Sequence, residues 1–142
     1  MAYTALEVAM GVRRLFDSPD NWTKGAMAMV PIKGAEGKRM QGAEPDDVLA
    51  SCFCLDGAVL KILWDIGGVV PDTAQDDMVY EIVIRALEDA IDLREPPVED
   101  NDSRVNYSTR EAIWNFNDAS GTAYEDILWV VDHAVKSLEM AA

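Results

Sequence analysis

Apolar residues recur along this chain at two spacings, and the spacing that dominates is helical. From Met78, the residues Val79, Ile82, Val83, Ala86, Leu87, Ala90 and Ile91 repeat at three and four positions, which places them on one side of a helix with 3.6 residues per turn. A second stripe, Ile127, Leu128, Val131, Ala134, Val135 and Leu138, predicts a C-terminal helix. A weaker one, Leu6, Ala9, Met10, Leu15 and Phe16, predicts a helix over 4–17 that stops at Asp17-Ser18-Pro19-Asp20, because proline disfavours helix in the residue before it. Between Pro45-Asp46-Asp47 and Gly67-Gly68 apolar residues cover most of a helical circumference. That pattern predicts a central helix over 47–66, with proline in its first turn and glycine at its end. A short helix over 109–117 and a turn at 118–121 complete the helical reading.

Four Ser or Thr residues precede an acid by three positions: Thr4 and Glu7, Thr73 and Asp76, Ser108 and Glu111, Thr122 and Glu125. In this pattern the hydroxyl accepts from a free helix N–H and the carboxylate reaches back to another, so each is expected to open a helix. Two segments depart from helical spacing. Met27–Ile32 followed by Gly34, Gly37 and Lys38-Arg39-Met40 predicts a small β-hairpin near residues 27–40. Residues 94–107, rich in proline, acid and Asn, predict a mobile loop. The expected fold is mainly α: one compact bundle of four to five helices over residues 1–142, with the two clearest stripes packed against the helix at 47–66. There is no internal repeat of the solenoid kind.

Composition narrows the functional classes. At 142 residues with 49% hydrophobic content, the chain holds enough apolar material for a single core and is unlike a disordered polymer. Its net charge is −14, which argues against a direct grip on nucleic acid, because that affinity comes from Lys and Arg neutralising phosphates. The charge is uneven. Residues 1–43 hold six basic and four acidic side chains, whereas the remaining 99 residues carry −16. Such a balance speaks to solubility or to a basic partner rather than to fold. Cys52 and Cys54 are too close in sequence to staple distant segments. Glu7 and Arg13-Arg14 interrupt the first apolar stretch, and Asp56, Lys61 and Asp65 interrupt the longest one. The expectation is therefore a cytoplasmic chain with no membrane span.

Three short segments stand out: Trp22-Thr23-x-Gly25-Ala26; Cys54-Leu55-x-Gly57-Ala58; and Ile113-Trp114-Asn115-Phe116-Asn117-Asp118 followed by Thr122-x-x-Glu125-Asp126-Ile127-Leu128. Together they resemble a family of short uncharacterised proteins from bacteria and their phages, over about two-thirds of the chain. The chain departs from that pattern by extra residues within the Trp-Asn-Asp segment and by the long acidic loop before it. The resemblance implies a helical fold and a small accessory protein, and brings no catalytic assignment.

Candidate chemistry is sparse. Cys52, Cys54 and the single His133 do not make a metal site: zinc wants four ligands, and residues two apart on a helix point in nearly opposite directions. No metal and no cofactor is expected. A nucleophile assembled from Cys54, His133 and Asp118 or Asn117 is chemically sensible, since a thiol needs a base and the base an orienting group, but cysteines acting as small apolar core residues are the plainer reading. Gly34-x-x-Gly37 lacks the Lys-Ser/Thr of a phosphate loop. Trp22, Trp114, Phe116 and Trp129 serve either as core anchors or as pocket walls, and Asn115, Asn117 and Asp118 most simply end a helix by local Asx hydrogen bonds.

The leading functional reading is a non-enzymatic interaction protein of phage or prophage type. It would bind and modulate or inhibit a host protein with a basic surface, in the manner of a nucleic-acid mimic or an anti-defence factor. Asp77, Glu81, Glu88, Asp89 and Asp92 on the 78–91 helix, and Glu95, Glu99, Asp100 and Asp102 in the loop, are the partner-binding candidates. The alternative is a small-ligand-binding protein or hydrolase with a pocket near Cys54, Trp114–Asp118 and His133. A homodimer through exposed Met and Trp is a third reading.

Overall fold

The computed structural model describes residues 3–31, 40–94 and 109–141. Five α-helices are present among them: α1 (Ala5–Leu15), α2 (Leu55–Gly67), α3 (Met78–Arg94), α4 (Thr109–Asp118) and α5 (Tyr124–Ala141). Single 3-10 segments, Pro19–Asn21 and Pro71–Asp76, follow α1 and precede α3. Strands β1 (Ala28–Pro31), β2 (Met40–Ala43) and β3 (Cys52–Phe53) form a small antiparallel sheet in the order β2-β1-β3. The mainly helical fold with a hairpin near 27–40 is therefore observed.

α1 and α3 show how local chemistry sets the ends. Thr4 caps α1, its hydroxyl accepting from Glu7 N at 3.1 Å, as its spacing predicts. α3 opens differently. Thr73 lies inside the 3-10 segment, and Asp77 caps the helix by accepting from Val79 N (2.8 Å) and Tyr80 N (3.2 Å). A carboxylate in the capping position does the work assigned to the hydroxyl, and gains from the positive end of the helix dipole. Thr122 is also no cap: its hydroxyl donates to Phe116 O at 2.7 Å, and Asp126 secures the start of α5 by accepting from Ala123 N at 2.8 Å. Ser108, and all of the 94–107 loop but Arg94, lie outside the described residues.

The largest correction concerns residues 47–54. The helix expected from 47 begins at Leu55. Asp47 accepts from Leu49 N at 2.9 Å, and backbone bonds from Asp47 N to Glu44 O and from Ala50 N to Asp47 O close turns, so local Asx chemistry wins over the apolar periodicity. Val48 and Leu49 are left 90% and 70% exposed. The chain then enters the sheet: Cys52 pairs with Met29 and Phe53 with Ala28, with Ser51 N donating to Met29 O and Cys54 N to Met27 O. The returning hairpin strand is likewise shifted, to Met40–Ala43 in place of residues 38–40.

α2 is buried around its whole first half, Leu55 to Leu60. It ends where expected, at Gly68, whose φ of 65° is the left-handed conformation glycine adopts at no steric cost. α3 is the hub of the bundle, touching α1, α2, α4 and α5. α5 packs on α3 and α1 rather than chiefly on α2, which corrects the expected arrangement. The single core runs through Val8, Val12, Phe16, Leu55, Val59, Leu63, Val83, Leu87, Ile91, Ile113, Ile127 and Val131. No helix among the described residues is long and apolar enough to cross a membrane.

Candidate functional site

The three segments singled out in the sequence meet at one place, where the start of α2, the end of α4 and the chain leading into β1 converge. Asn117, 1% exposed near the end of α4, holds them together. Its Oδ1 accepts from Trp22 Nε1 (2.7 Å) and from Leu55 N (3.0 Å), and its Nδ2 donates to Thr23 O (3.0 Å) and Asp118 Oδ1 (3.0 Å). Both sides of the amide are fully used, which is what a buried amide requires. Asp118 Oδ1 also accepts from Gly25 N at 2.9 Å, and Lys24 Nζ donates to Ala119 O. The expected local role of Asn117 and Asp118 in ending a helix is thus replaced by long-range bonds to residues 22–25 and 55.

Gly57 explains the second segment. A Cβ there would lie 1.8 Å from Met27 O, so only glycine permits the first turn of α2 to press against the chain entering β1. Cys54 caps that turn, its sulfur accepting from Gly57 N at 3.2 Å. Burial, with the nearby Asp56 and Asp118 charges adding to it, pushes the Cys54 thiol up to about 12, although the Gly57 hydrogen bond works the other way. A thiol in this state is a poor nucleophile. Cys52 is also free and buried, and its thiol is raised by burial.

Beside the clamp lies a cluster that sequence reasoning missed. Asp56, in the first turn of α2, is 0% exposed and accepts from three side chains at 2.7 Å each: Tyr80 Oη on Oδ1, and Arg110 Nε and Trp114 Nε1 on Oδ2. Arg110 lies over the Tyr80 and Trp114 rings, 5.9 and 5.1 Å from their centroids. Burial works against the Arg110 charge, but the Asp56 hydrogen bond and charge outweigh it and hold the guanidinium above its ordinary value. Tyr80 is raised by burial and then by Asp56, so it stays a donor. The available signal was an acid inside the longest apolar run, where it has no solvent-side neighbours on its helix.

Gly25, Ala26, Met27, Cys54, Trp114, Asn117 and Asp118 line a cavity of about 280 Å³ between these two networks. Asn117 and Cys54 are buried at its floor, while Gly25, Asp118 and Trp114 reach solvent at its mouth. A second recess of about 300 Å³ lies between Met27, Leu60, Pro71 and Arg110, with Glu44 and Asp72 on its wall. Of the remaining candidates, His133 does not line either cavity. It stacks on Trp129, four residues earlier on α5, with ring centroids 4.9 Å apart. Trp22 is spent on Asn117, and Phe116 is core. Among the described residues no group of three or more His, Cys, Asp and Glu is placed to hold a metal ion.

The partner-binding candidates divide. Asp77 is occupied as the α3 cap and accepts from Tyr3 Oη at 2.7 Å; burial and this bond push Tyr3 up to about 12. Glu81, Glu88, Asp89 and Asp92 share the outward side of α3 with Arg85, which donates to Glu81 (2.9 Å). Glu95, Glu99, Asp100 and Asp102 lie outside the described residues.

Fold and site together define a small helical domain built around a buried polar clamp. The chain belongs to DUF6197, a family of unknown function whose model matches residues 2–137. No curated protein and no solved structure gives a significant match.

Proposed function

We propose that this chain is a non-enzymatic interaction protein that binds a basic protein surface through the outward side of α3, acting in the cytoplasm, where its two free cysteines would persist. The observation that carries the reading is the distribution of exposed charge. Between Asp65 and Asp92 the sequence sets eight carboxylates against one cation, Arg85, and Asp65, Asp72, Asp76, Glu81 and Asp89 are exposed. Met78 and Ile82, 75% and 42% exposed, lie on the same side of α3. Acid mixed with apolar surface suits a basic protein with its own apolar contacts, and such an encounter is steered by charge and weakened by salt. The phage or prophage type, with inhibition of a host protein or an anti-defence role, is the finer form of this proposal and rests on the motif resemblance.

The test is capture of a binding partner from a bacterial lysate at low ionic strength, with wild type beside the Glu81→Gln, Glu88→Gln, Asp89→Asn variant. The expected result is a partner that wild type releases as salt rises and that the variant holds about tenfold more weakly. Capture of nothing at low salt, or equal capture by the variant, overturns the reading. A small-ligand-binding reading is favoured by one observation, the cavity beside Cys54. Its hydrolase form loses support, because the thiol is a buried helix cap and the one described imidazole stacks elsewhere.

A further inference from the structure

The cavity between Met27, Cys54 and Trp114 has a chemistry of its own. Its floor and walls are apolar or already satisfied: the Met27 thioether, the Cys54 thiol, Ala26, and an Asn117 amide with all of its hydrogen bonds made. At the mouth stands Asp118, whose Oδ1 accepts from both Gly25 N and Asn117 Nδ2. Its other oxygen, Oδ2, has no partner among the described residues. The nearest cation in sequence, Lys24, is engaged with Ala119 O and the Trp22 ring, 5.5 Å from its centroid. Trp114 contributes an indole that is 37% exposed and pinned through its N–H to Asp56. Arg110, which covers this ring at 5.1 Å, is not among the residues that line the cavity.

A carboxylate oxygen and an indole at the mouth of an apolar recess favour a cation carried on an apolar stem. Two features choose among cations. At about 280 Å³ the space is at the lower limit for a drug-sized ligand, which favours a single side chain. Only one oxygen of Asp118 lacks a partner among the described residues, so the two-oxygen fork in which arginine matches a carboxylate is not open to it, and a point-charge ammonium suits the site. We infer that this cavity receives a lysine side chain of the basic partner, its ammonium on Asp118 Oδ2 and its methylenes along Met27, Cys54 and the Trp114 indole. The inference rests on the interaction reading above and supplies it with an anchoring pocket, since hot spots of interfaces sit in such recesses.

The experiment uses the full chain and small probes, with no partner present. Nα-acetyl-lysine methylamide is titrated against ¹⁵N-labelled protein, following the Trp114 indole N–H and the Gly25 amide, with the norleucine and arginine analogues as comparisons. The lysine probe is expected to shift both resonances saturably, with the norleucine analogue, which lacks the ammonium, binding about tenfold more weakly. Asp118→Asn, whose amide oxygen still accepts from Gly25 N, is expected to lose a similar factor while the Trp22 indole resonance stays in place as a check on the fold. Absence of saturable shifts, equal binding of the norleucine analogue, unchanged binding by Asp118→Asn, or tighter binding of the arginine analogue each overturns the inference. The α3 variant used for partner capture should bind the lysine probe as wild type does. A failed cavity and a failed acidic face are thereby told apart.

Discussion

Asp56 and the acids of α3 are the same chemistry in opposite settings. Asp56 has no exposed surface and receives three hydrogen bonds from Tyr80, Arg110 and Trp114. Glu81 and Asp89 stand in solvent, Glu81 paired one turn away with Arg85. A buried carboxylate is tolerable only when its charge is matched and its lone pairs are filled. An exposed one costs almost nothing and contributes almost nothing to stability. The difference teaches where acidity organises the fold and where it is available to a partner: the overall charge of −14 is a surface property, and one of its members is a structural pin.

The sharpest way to break this contrast is Asp56→Ala. It leaves the Tyr80 hydroxyl, the Trp114 N–H and the Arg110 guanidinium without their acceptor, and removing one partner of a buried pair costs about 3–5 kcal/mol. Urea unfolding followed by far-UV circular dichroism should show a loss of that size, large against the total stability of a small domain. A loss below about 1 kcal/mol would mean that water replaces the carboxylate and that the site is less enclosed than its geometry indicates.

Periodicity makes α1, α3 and α5 legible in the sequence, because each buries one regular stripe. It fails at residues 47–54, where an apolar run satisfies helical spacing equally well but Asp47 closes a turn and Cys52-Phe53 pairs with β1. The site is legible only in pieces. Trp22, Gly25, Cys54, Gly57, Asn117 and Asp118 stand out as short motifs, but the bonds that join them span 62 to 95 positions, and no local pattern encodes such contacts. Asp56 reads as an interruption of an apolar helix, since its partners lie 24, 54 and 58 residues away. Conversely His133, chemically the natural partner for a thiol, is taken by a ring four residues away on its own helix.

The Cys54 thiol sharpens the comparison from the other side, since burial raises it and the Asp56 and Asp118 charges add to that. Its folded value of about 12 exceeds the ordinary 9.0, so the native state holds this proton more tightly than the unfolded chain does. The resulting stability is fully present below pH 9 and is lost as pH rises from 9 toward 12. Above pH 10 Tyr3, pushed up to about 12, changes stability in the same direction. Urea midpoints should therefore fall as pH rises from 9 toward 10, with the Cys52 thiol, also raised by burial, acting in the same direction, and Cys54→Ser should reduce that fall while keeping a capping oxygen. Alkylation at pH 8 gives a second measure: the native thiolate fraction at Cys54 should be about a thousandfold below that of the unfolded chain. Rapid labelling of Cys54 in the native protein would contradict both the enclosure and the two flanking charges.

The smallest effects test whether the acids of α3 are interchangeable. Asp77→Ala removes the cap on Val79 N and Tyr80 N together with the Tyr3 contact, and loss of such a cap costs about 1–2 kcal/mol. Glu88→Gln with Asp89→Asn removes two charges from an outward surface that already repels itself, so stability should move by no more than about 0.5 kcal/mol, in the stabilising direction. The two variants therefore separate by stability first, and partner capture then asks a different question of each. Glu88 and Asp89, which thermal unfolding should show to be dispensable for the fold, should be the ones whose loss weakens binding. If their replacement instead destabilised the domain as much as Asp77→Ala does, the outward carboxylates would be structural like Asp56, and the case for a docking face would lose its charge argument.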